Sequence, residues 1–159
     1  MQFVGVKVWP QPHEQFEGQN IASFDFNEVE IGEISETYLL TNEDDPLFYG
    51  VMLHIVIENK RGKIAPYDIN VRVVGHFKIK KSIAKEERAD LVTVNGCSML
   101  YGAIREQVMT LSARSVHGML ILPTVSFQDK VKKDKNISQD SELAKPRKAT
   151  RIVKKKISE

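Results

Sequence analysis

Residues 67–80, YDINVRVVGHFKIK, decide the fold class because they alternate apolar and polar side chains more regularly than any other stretch. Six apolar side chains fall on one parity and six polar side chains on the other, which is the spacing of a β-strand with one buried and one wet face. Strands of this kind are typical of antiparallel sheets. The stretch therefore predicts an antiparallel strand with one face in solvent.

More strands are predicted on the N-terminal side of this stretch. An apolar run at 49–58 follows a turn cluster at 42–46, whose short polar side chains and proline favour a chain reversal. Residues 21–31 carry aromatic side chains on one parity and aliphatic side chains on the other, which predicts a strand with a register change. The chain is therefore predicted to be β-rich up to about residue 94.

The hydrophobic period becomes helical from Asn95 onward. Apolar side chains recur at helical spacing over residues 100–111, and Asn95 or Ser98 is expected to cap the start of this helix. Gly102 inside it either admits a close backbone approach or marks a kink. After a break, residues 119–127 form an extended apolar segment, whose proline predicts an edge strand or a loop-like strand.

Charge divides the chain into two parts. The 159 residues have a formal net charge of +2, but residues 1–127 carry 12 basic and 16 acidic side chains, while residues 128–159 carry 11 and 5. We therefore predict an acidic folded domain at 1–127 and a basic, disordered tail at 128–159 that has too few apolar side chains to fold alone. Lysine clusters without aromatic side chains neutralise phosphates but do not stack bases, so nucleic acid is an unfavoured partner.

Several classes of protein are disfavoured by what the sequence lacks. No apolar stretch approaches the length of a membrane span, and the N-terminus lacks a signal-peptide pattern, which predicts a cytoplasmic protein without membrane insertion. There is no glycine-rich phosphate loop, dinucleotide fingerprint, nucleophile elbow or zinc-protease motif. The four histidines are not at metal-ligand spacing. We expect no catalytic residue, metal or cofactor.

The single cysteine, Cys97, excludes an intrachain disulfide framework. Close to the predicted helix start, it is either a small buried residue or a low-pKa thiol that His117 could assist. The charged side chains Arg105, Glu106 and Arg114 must be exposed or paired, because the helix is otherwise apolar. An alternative is that the helix is an oligomer interface with Arg105 in a cross-subunit pair.

Three stretches of this sequence resemble the SecB export-chaperone family. The first is SMLYGAIREQVMTLSAR at 98–114, a helix with an aromatic residue, an Arg-Glu pair and a terminal arginine. The second is LILPTVSF at 120–127, which closes an extended segment, and the third is GHFKI at 75–79, which ends a strand. Gly102 stands at a usual helix proline, and the tail from Gln128 replaces a long C-terminal helix. The resemblance is thus to a divergent SecB-like subgroup.

The resemblance implies an α+β fold, a twisted four-stranded antiparallel sheet with one packed helix, assembled as a homo-dimer or homo-tetramer. It implies an ATP-independent chaperone that binds unfolded or nascent polypeptides. An export role would add a translocation ATPase as partner, and a role in a toxin–antitoxin system would add an antitoxin. Such a chaperone needs more exposed apolar surface than most monomers have, and a strand edge available for backbone pairing.

Two sets of candidate site residues follow from the resemblance, and each residue could instead be ordinary core. The peptide-binding candidates are Phe24, Phe26, Tyr49, Leu53, Val116, Met119 and Leu120. The oligomer-interface candidates are Leu100, Tyr101, Ile104, Arg105 and Val108. Two other functions stay open, a nucleic-acid-associated accessory protein that uses its tail and a small enzyme that uses Cys97.

Overall fold

The computed structural model describes residues 1–130, in which a four-stranded antiparallel sheet packs against one long helix. In chain order, the elements are β1 (Gln2–Pro10), β2 (Gly32–Leu39), β3 (Phe48–Ile57), β4 (Tyr67–Lys78) and α1 (Lys85–Ser112). The strand order is β1-β4-β3-β2, so that β1 and β2 are the two edge strands. The predicted fold class is confirmed. The predictions made for residues 131–159 lie outside the described residues.

The two central strands are the ones that the apolar pattern predicted. In β4, alternate side chains from Tyr67 to Val73 are buried under α1, while Asn70, Arg72 and His76 are exposed on the opposite face. In β3, every second side chain from Tyr49 to Ile57 is buried in the same layer. The core therefore lies between α1 and one face of the sheet.

The predicted strand at 21–31 is wrong. Ile21–Ser23 forms a turn of 3-10 helix, and after it the chain forms only an isolated bridge between Val29 and Gly62. Glu28 has a φ of 68°, which is incompatible with an extended strand. The alternating side chains at 21–31 are instead a loop packed on the core.

Helix α1 begins at Lys85, ten residues before the predicted start. Its N-cap is Ala84, which makes no side-chain cap bond. Asn95 and Ser98 lie inside the helix, where their side chains donate hydrogen bonds to carbonyl oxygens four residues earlier. The prediction that either one caps the helix is therefore wrong.

Arg88, which is 3% exposed, anchors the start of α1 in place of a cap. Its guanidinium donates hydrogen bonds to the carboxylate of Asp45 and to the carbonyl oxygens of Pro46, Lys81 and Ile83. The hydrogen bond from Arg88 is the main reason why the pKa of Asp45 is below its usual value. We call this set of contacts the Arg88 clamp. It joins the loops before β3 and before α1 to the helix.

After α1, the chain turns at 113–117, and residues 118–127 then run back along the helix as an extended segment. We call residues 113–127 the strap. The hydroxyl of the buried Ser112 donates to the carbonyl of Val108 and accepts the backbone N–H of Leu120 at 2.8 Å. The strap is extended, as predicted, but it forms no strand in the sheet. Three buried side chains of the strap close the end of the core: Leu120, Leu122 and Phe127.

Candidate peptide-binding grooves

A groove of about 850 Å³ runs between strand β2 and the first half of α1. We call it the edge groove. Residues 33–39 of β2 form one wall, and Lys85, Ala89, Asp90 and Thr93 of α1 form the other. Pro46, Tyr49 and Lys130 complete its lining.

The open edge of β2, which lines this groove, carries main-chain groups that point away from β3. The backbone N–H of Leu40 donates to the carbonyl of Phe48 at 3.1 Å, and the pairing of β2 with β3 continues from there without a bulge. In an antiparallel pair, every second residue bonds to the neighbouring strand and the residues between them face away. The N–H and C=O groups of Glu33, Ser35, Thr37 and Leu39 therefore point away from β3.

The walls of the edge groove mix polar contacts with exposed apolar side chains. The hydroxyls of Thr37 and Thr93 are 2.8 Å apart and join β2 to α1 across the groove. At one end, Lys130 pairs with Glu33 at 2.5 Å, and both side chains are about three-quarters buried. Ile34 and Leu39 are more than half exposed. The groove thus offers apolar contacts beside main-chain groups that have no hydrogen-bond partner among the described residues.

A second groove, of about 480 Å³, lies between residues 22–31 and the strap. We call it the aromatic groove. Phe24 and Phe26 meet edge to face on one wall, with ring centroids 5.1 Å apart, and strap residues 121–124 form the opposite wall. Arg105 of α1 also lines this groove, and its Nε donates to the carbonyl of Leu122 at 3.0 Å.

Lys63 holds the aromatic wall in place. Its ammonium group donates to the carbonyl oxygen of Asp25 at 2.6 Å and to the carboxylate at 3.2 Å, and it lies 5.0 Å from the centre of the Phe24 ring. The backbone N–H of Asn27, followed by Lys63, lowers the pKa of Asp25. Asp25 is thus an ionised partner of Lys63.

Gly62 allows the loop that carries Lys63 to approach residues 24–29. Its φ is +70°, and a Cβ atom at this position would lie 2.4 Å from the carbonyl oxygen of Glu28. Only glycine fits both the backbone conformation and the close contact. The aromatic wall therefore depends on a loop that sequence periodicity alone did not identify.

The predicted peptide-binding residues fall in four different places. Phe24 and Phe26 line the aromatic groove, and Tyr49 lines the edge groove although it is 3% exposed. Val116 and Met119 are exposed on the strap. Fully buried positions in the core are held by Leu53 and Leu120. The grooves therefore bring together only part of the predicted set.

The predicted interface residues pack within this chain. Four of them are at most 5% exposed and belong to the hydrophobic core, namely Leu100, Tyr101, Ile104 and Val108. Arg105 is partly buried and bonds to the strap. The exposed apolar side chains of α1 are instead Leu91, Met99 and Leu111.

Cys97 is fully buried, and burial raises the pKa of its thiol. His117 is engaged elsewhere, because its Nε2–H donates to the carbonyl oxygen of Gln11 at 2.7 Å and its ring packs against Tyr67. A buried, protonated thiol is a poor nucleophile. The enzyme alternative based on Cys97 thereby loses its support.

Within residues 1–130, no three His, Cys, Asp or Glu side chains are grouped closely enough to hold a metal ion. Helix α1, which is the long helix of the described part, is not apolar enough to cross a membrane.

Sequence analysis missed the wall of the edge groove and the lysine behind the aromatic wall. Strand β2, GEISETYL, lacks apolar alternation because both of its faces are largely exposed. Lys63 lies in a polar segment that resembles any surface turn. The signal that could have identified Lys63 is Gly62, directly before it. A glycine in a polar turn predicts a residue with positive φ, which sets the direction of the next side chain.

Neither a protein-family model nor a curated protein matches this sequence. Solved structures do match it, and one of them is a SecB-like chaperone, the class that the sequence motifs resemble. That structure is the Mycobacterium tuberculosis SecB-like chaperone Rv1957 in complex with a ChAD peptide from the HigA1 antitoxin. The two chains share 16% sequence identity, with a TM-score of 0.43, over 79% of this chain and 86% of the other.

Proposed function

We propose that this protein is a cytoplasmic, ATP-independent chaperone that holds unfolded or nascent polypeptide against the open edge of β2. The observation that carries the proposal is the edge groove, where main-chain groups at 33, 35, 37 and 39 that have no hydrogen-bond partner within residues 1–130 lie beside about 850 Å³ of open space. An extended polypeptide that adds a strand there forms backbone hydrogen bonds that do not depend on its sequence. Unfolded clients share that chemistry and little else.

Exposed apolar side chains beside this edge support the same function. Ile34, Tyr38, Leu39 and Leu40 are all at least 40% exposed, and Phe48 lies next to them at the start of β3. Natural proteins normally protect an edge strand with charge, proline or a covering segment. An edge that combines open backbone with aliphatic and aromatic side chains suits a protein that binds extended chains.

The proposal covers both client classes that the sequence resemblance implies. Export substrates and antitoxins would use the same backbone pairing at β2 and would differ in the side chains that they present. A translocation ATPase or an antitoxin is a partner in one or the other case. No nucleotide is required, because strand addition is an equilibrium binding step.

We also propose that copies of the chain assemble as a dimer or tetramer through the exposed side of α1. Leu91, Met99 and Leu111 leave apolar surface there. Mass measurement in solution tests this assembly, and a strictly monomeric species at micromolar concentration would contradict it.

The backbone proposal is tested by Ser35→Pro compared with Ser35→Ala in the full chain. Proline removes an N–H that points away from β3 and places its ring in the path of an added strand, and edge strands tolerate proline. Both variants lose the Ser35 hydroxyl, so the comparison between them isolates the main-chain effect. We expect Ser35→Pro to bind an unfolded fluorescent peptide about ten-fold more weakly, and Ser35→Ala to bind within about two-fold of the wild type.

The same proteins are then mixed with a denatured client, without ATP, and aggregation is followed by light scattering. The wild type and Ser35→Ala should suppress aggregation, and Ser35→Pro should do so poorly. A wild-type protein that suppresses nothing at molar excess would remove the chaperone proposal. Equal binding by Ser35→Pro and the wild type would remove β2 as the site.

A further inference from the structure

Arg105 brings to the aromatic groove a positive charge that has no partner within residues 1–130. Its Nε is used, because it donates to the carbonyl of Leu122. The two terminal nitrogens of its guanidinium have neither a hydrogen bond nor an ion pair in that part of the chain. The side chain is partly buried and lines the groove.

The acidic side chain in the same groove does not compensate Arg105. Asp25 lines the groove too, but Lys63 binds its carboxylate at 3.2 Å and its carbonyl oxygen at 2.6 Å. Lys63 and Asp25 thus form a neutral pair. Glu106, next to Arg105 in sequence, is exposed and is not part of the groove lining. Among the described residues, the groove therefore keeps one net positive charge.

A guanidinium with two free terminal nitrogens is suited to a carboxylate, which accepts two parallel hydrogen bonds from it. Beside it, the rings of Phe24 and Phe26 and the strap at 121–124 provide apolar contacts. We infer that the aromatic groove selects client segments in which an Asp or Glu lies beside an aromatic or large aliphatic side chain, with Arg105 binding the carboxylate. The inference rests on the proposed function, because it names the chemistry of the segments that such a chaperone would hold.

The overall charge of the folded part makes this selection distinct from general attraction. Residues 1–130 carry 13 basic and 17 acidic side chains, a net charge of −4, which repels acidic segments at long range. A preference for an acidic segment must then come from a local contact. Arg105 is the group in the aromatic groove that supplies one.

The test uses two fluorescent peptides that differ in one residue, Phe-Glu-Phe or Phe-Gln-Phe at the centre of the same neutral, flexible sequence. Their Kd values for the full chain are measured by anisotropy. We expect the Glu peptide to bind the wild type about five-fold more tightly, as for a partly buried charge-assisted bond. In Arg105→Gln the two peptides should bind alike, with the Gln peptide within about two-fold of its wild-type Kd.

Arg114→Gln is the matched control, because Arg114 is exposed after the end of α1 and does not line the groove. This variant should keep the preference for the Glu peptide. Equal Kd values of the two peptides for the wild type would overturn the inference, and so would a preference that survives in Arg105→Gln.

A second measurement does not depend on the folding of Arg105→Gln. The wild-type preference for the Glu peptide should shrink between 50 mM and 500 mM salt, because screening weakens a partly exposed charge pair. A preference that salt leaves unchanged would overturn the inference. If neither peptide binds while aggregation of a denatured client is still suppressed, the inference alone fails. If suppression is also absent, the proposed function fails.

Discussion

Gly96 and Gly102 are the two glycines of α1, and their surroundings predict opposite responses to alanine. A Cβ atom on Gly96 would lie 2.8 Å from Cγ2 of the buried Val51, whereas one on Gly102 would have no atom within 4 Å. We expect Gly96→Ala to lower the free energy of unfolding by about 1–3 kcal/mol through overpacking. Gly102→Ala should raise it by up to about 1 kcal/mol, because alanine is the better helix former.

Urea unfolding followed by circular dichroism measures both changes, and each variant is the control for the other. If both substitutions stabilise the protein, α1 does not pack on β3 as closely as described. If both destabilise it, Gly102 is in contact with something other than solvent, for instance a second copy of the chain.

These glycines also show what the sequence can indicate about single residues. A glycine in a helix predicts either a close approach or a kink, and we assigned that role to Gly102. The close approach belongs to Gly96, which lies between Asn95 and Ser98, the two residues expected to cap the predicted helix, and so is not marked by the sequence as a residue of the helix interior. A helical glycine does indicate a close approach, but recognising Gly96 as helical requires the correct start of α1. That start depends on Arg88, which lies eight residues earlier and is bonded to a distant loop.

At the level of elements, the Arg88 clamp predicts how the stability of the α1 start depends on pH. The pKa of Asp45 is lowered mainly by its hydrogen bond from Arg88. At pH values above the unfolded-state pKa of about 3.8, this carboxylate therefore stabilises the folded state. The contribution is lost as pH falls through the lower folded-state pKa. Asp45→Asn should therefore have a lower urea midpoint than the wild type at pH 7, and the gap should close as pH falls below about 3.8.

Asp44→Asn is the control for this prediction, because the Asp44 side chain is exposed and lies outside the clamp. Its midpoint should stay near that of the wild type at pH 7. An Asp45→Asn midpoint equal to the wild type at neutral pH would mean that the clamp contributes nothing, and a gap that persists in acid would assign its effect to another group.

Which elements could be predicted depended on how many faces each one buries. β3, β4 and the second half of α1 bury one whole face or stripe, so their apolar side chains repeat with the right period. Strands β1 and β2 lie at the sheet edges, with most side chains exposed, and so carry no clear alternation. Residues 21–31 had the alternation without a partner strand, because both edges of β3 and β4 are already paired. An alternating apolar pattern thus indicates that every second side chain is buried. It indicates a β-strand only where that segment also pairs with a neighbouring strand.

For the whole molecule, the two sheet edges provide a way to separate client binding from assembly. Trp9 is the single tryptophan and is 63% exposed on β1, while the edge groove lies along β2 at the other side of the sheet. We expect tryptophan emission at a solvent-exposed wavelength that does not shift when an unfolded, tryptophan-free peptide binds. Fluorescence titration checks this, with binding followed in parallel by anisotropy.

A blue shift of Trp9 that follows peptide binding would place the client on β1 and contradict the edge-groove site. A shift that depends on protein concentration alone would instead place β1 in an assembly interface. The two outcomes are separated by titrating peptide at fixed protein concentration and by diluting the protein without peptide.

The candidate site could be predicted only in part, because a groove is made by segments that are distant in sequence. Phe24 and Phe26 were identified as aromatic side chains near an edge, and they line a groove, although not as part of a strand. Leu53 and Leu120 looked the same in the sequence, yet they lie in the core. The path of the strap and the contact with Lys63 place the two phenylalanines in a groove and the two leucines in the core. Neither feature produces a periodic pattern in the sequence.

The short length of the β2 edge sets how long a client would stay bound. Four residues with outward main-chain groups, from Glu33 to Leu39, span about 20 Å, the length of roughly seven extended residues. Each backbone hydrogen bond contributes only about 1 kcal/mol net, and association costs at least about 4 kcal/mol. If the chain holds clients as proposed, a footprint of this size would give a brief residence time, so a bound client would dissociate by itself and would fold or move on without an energy-driven release step.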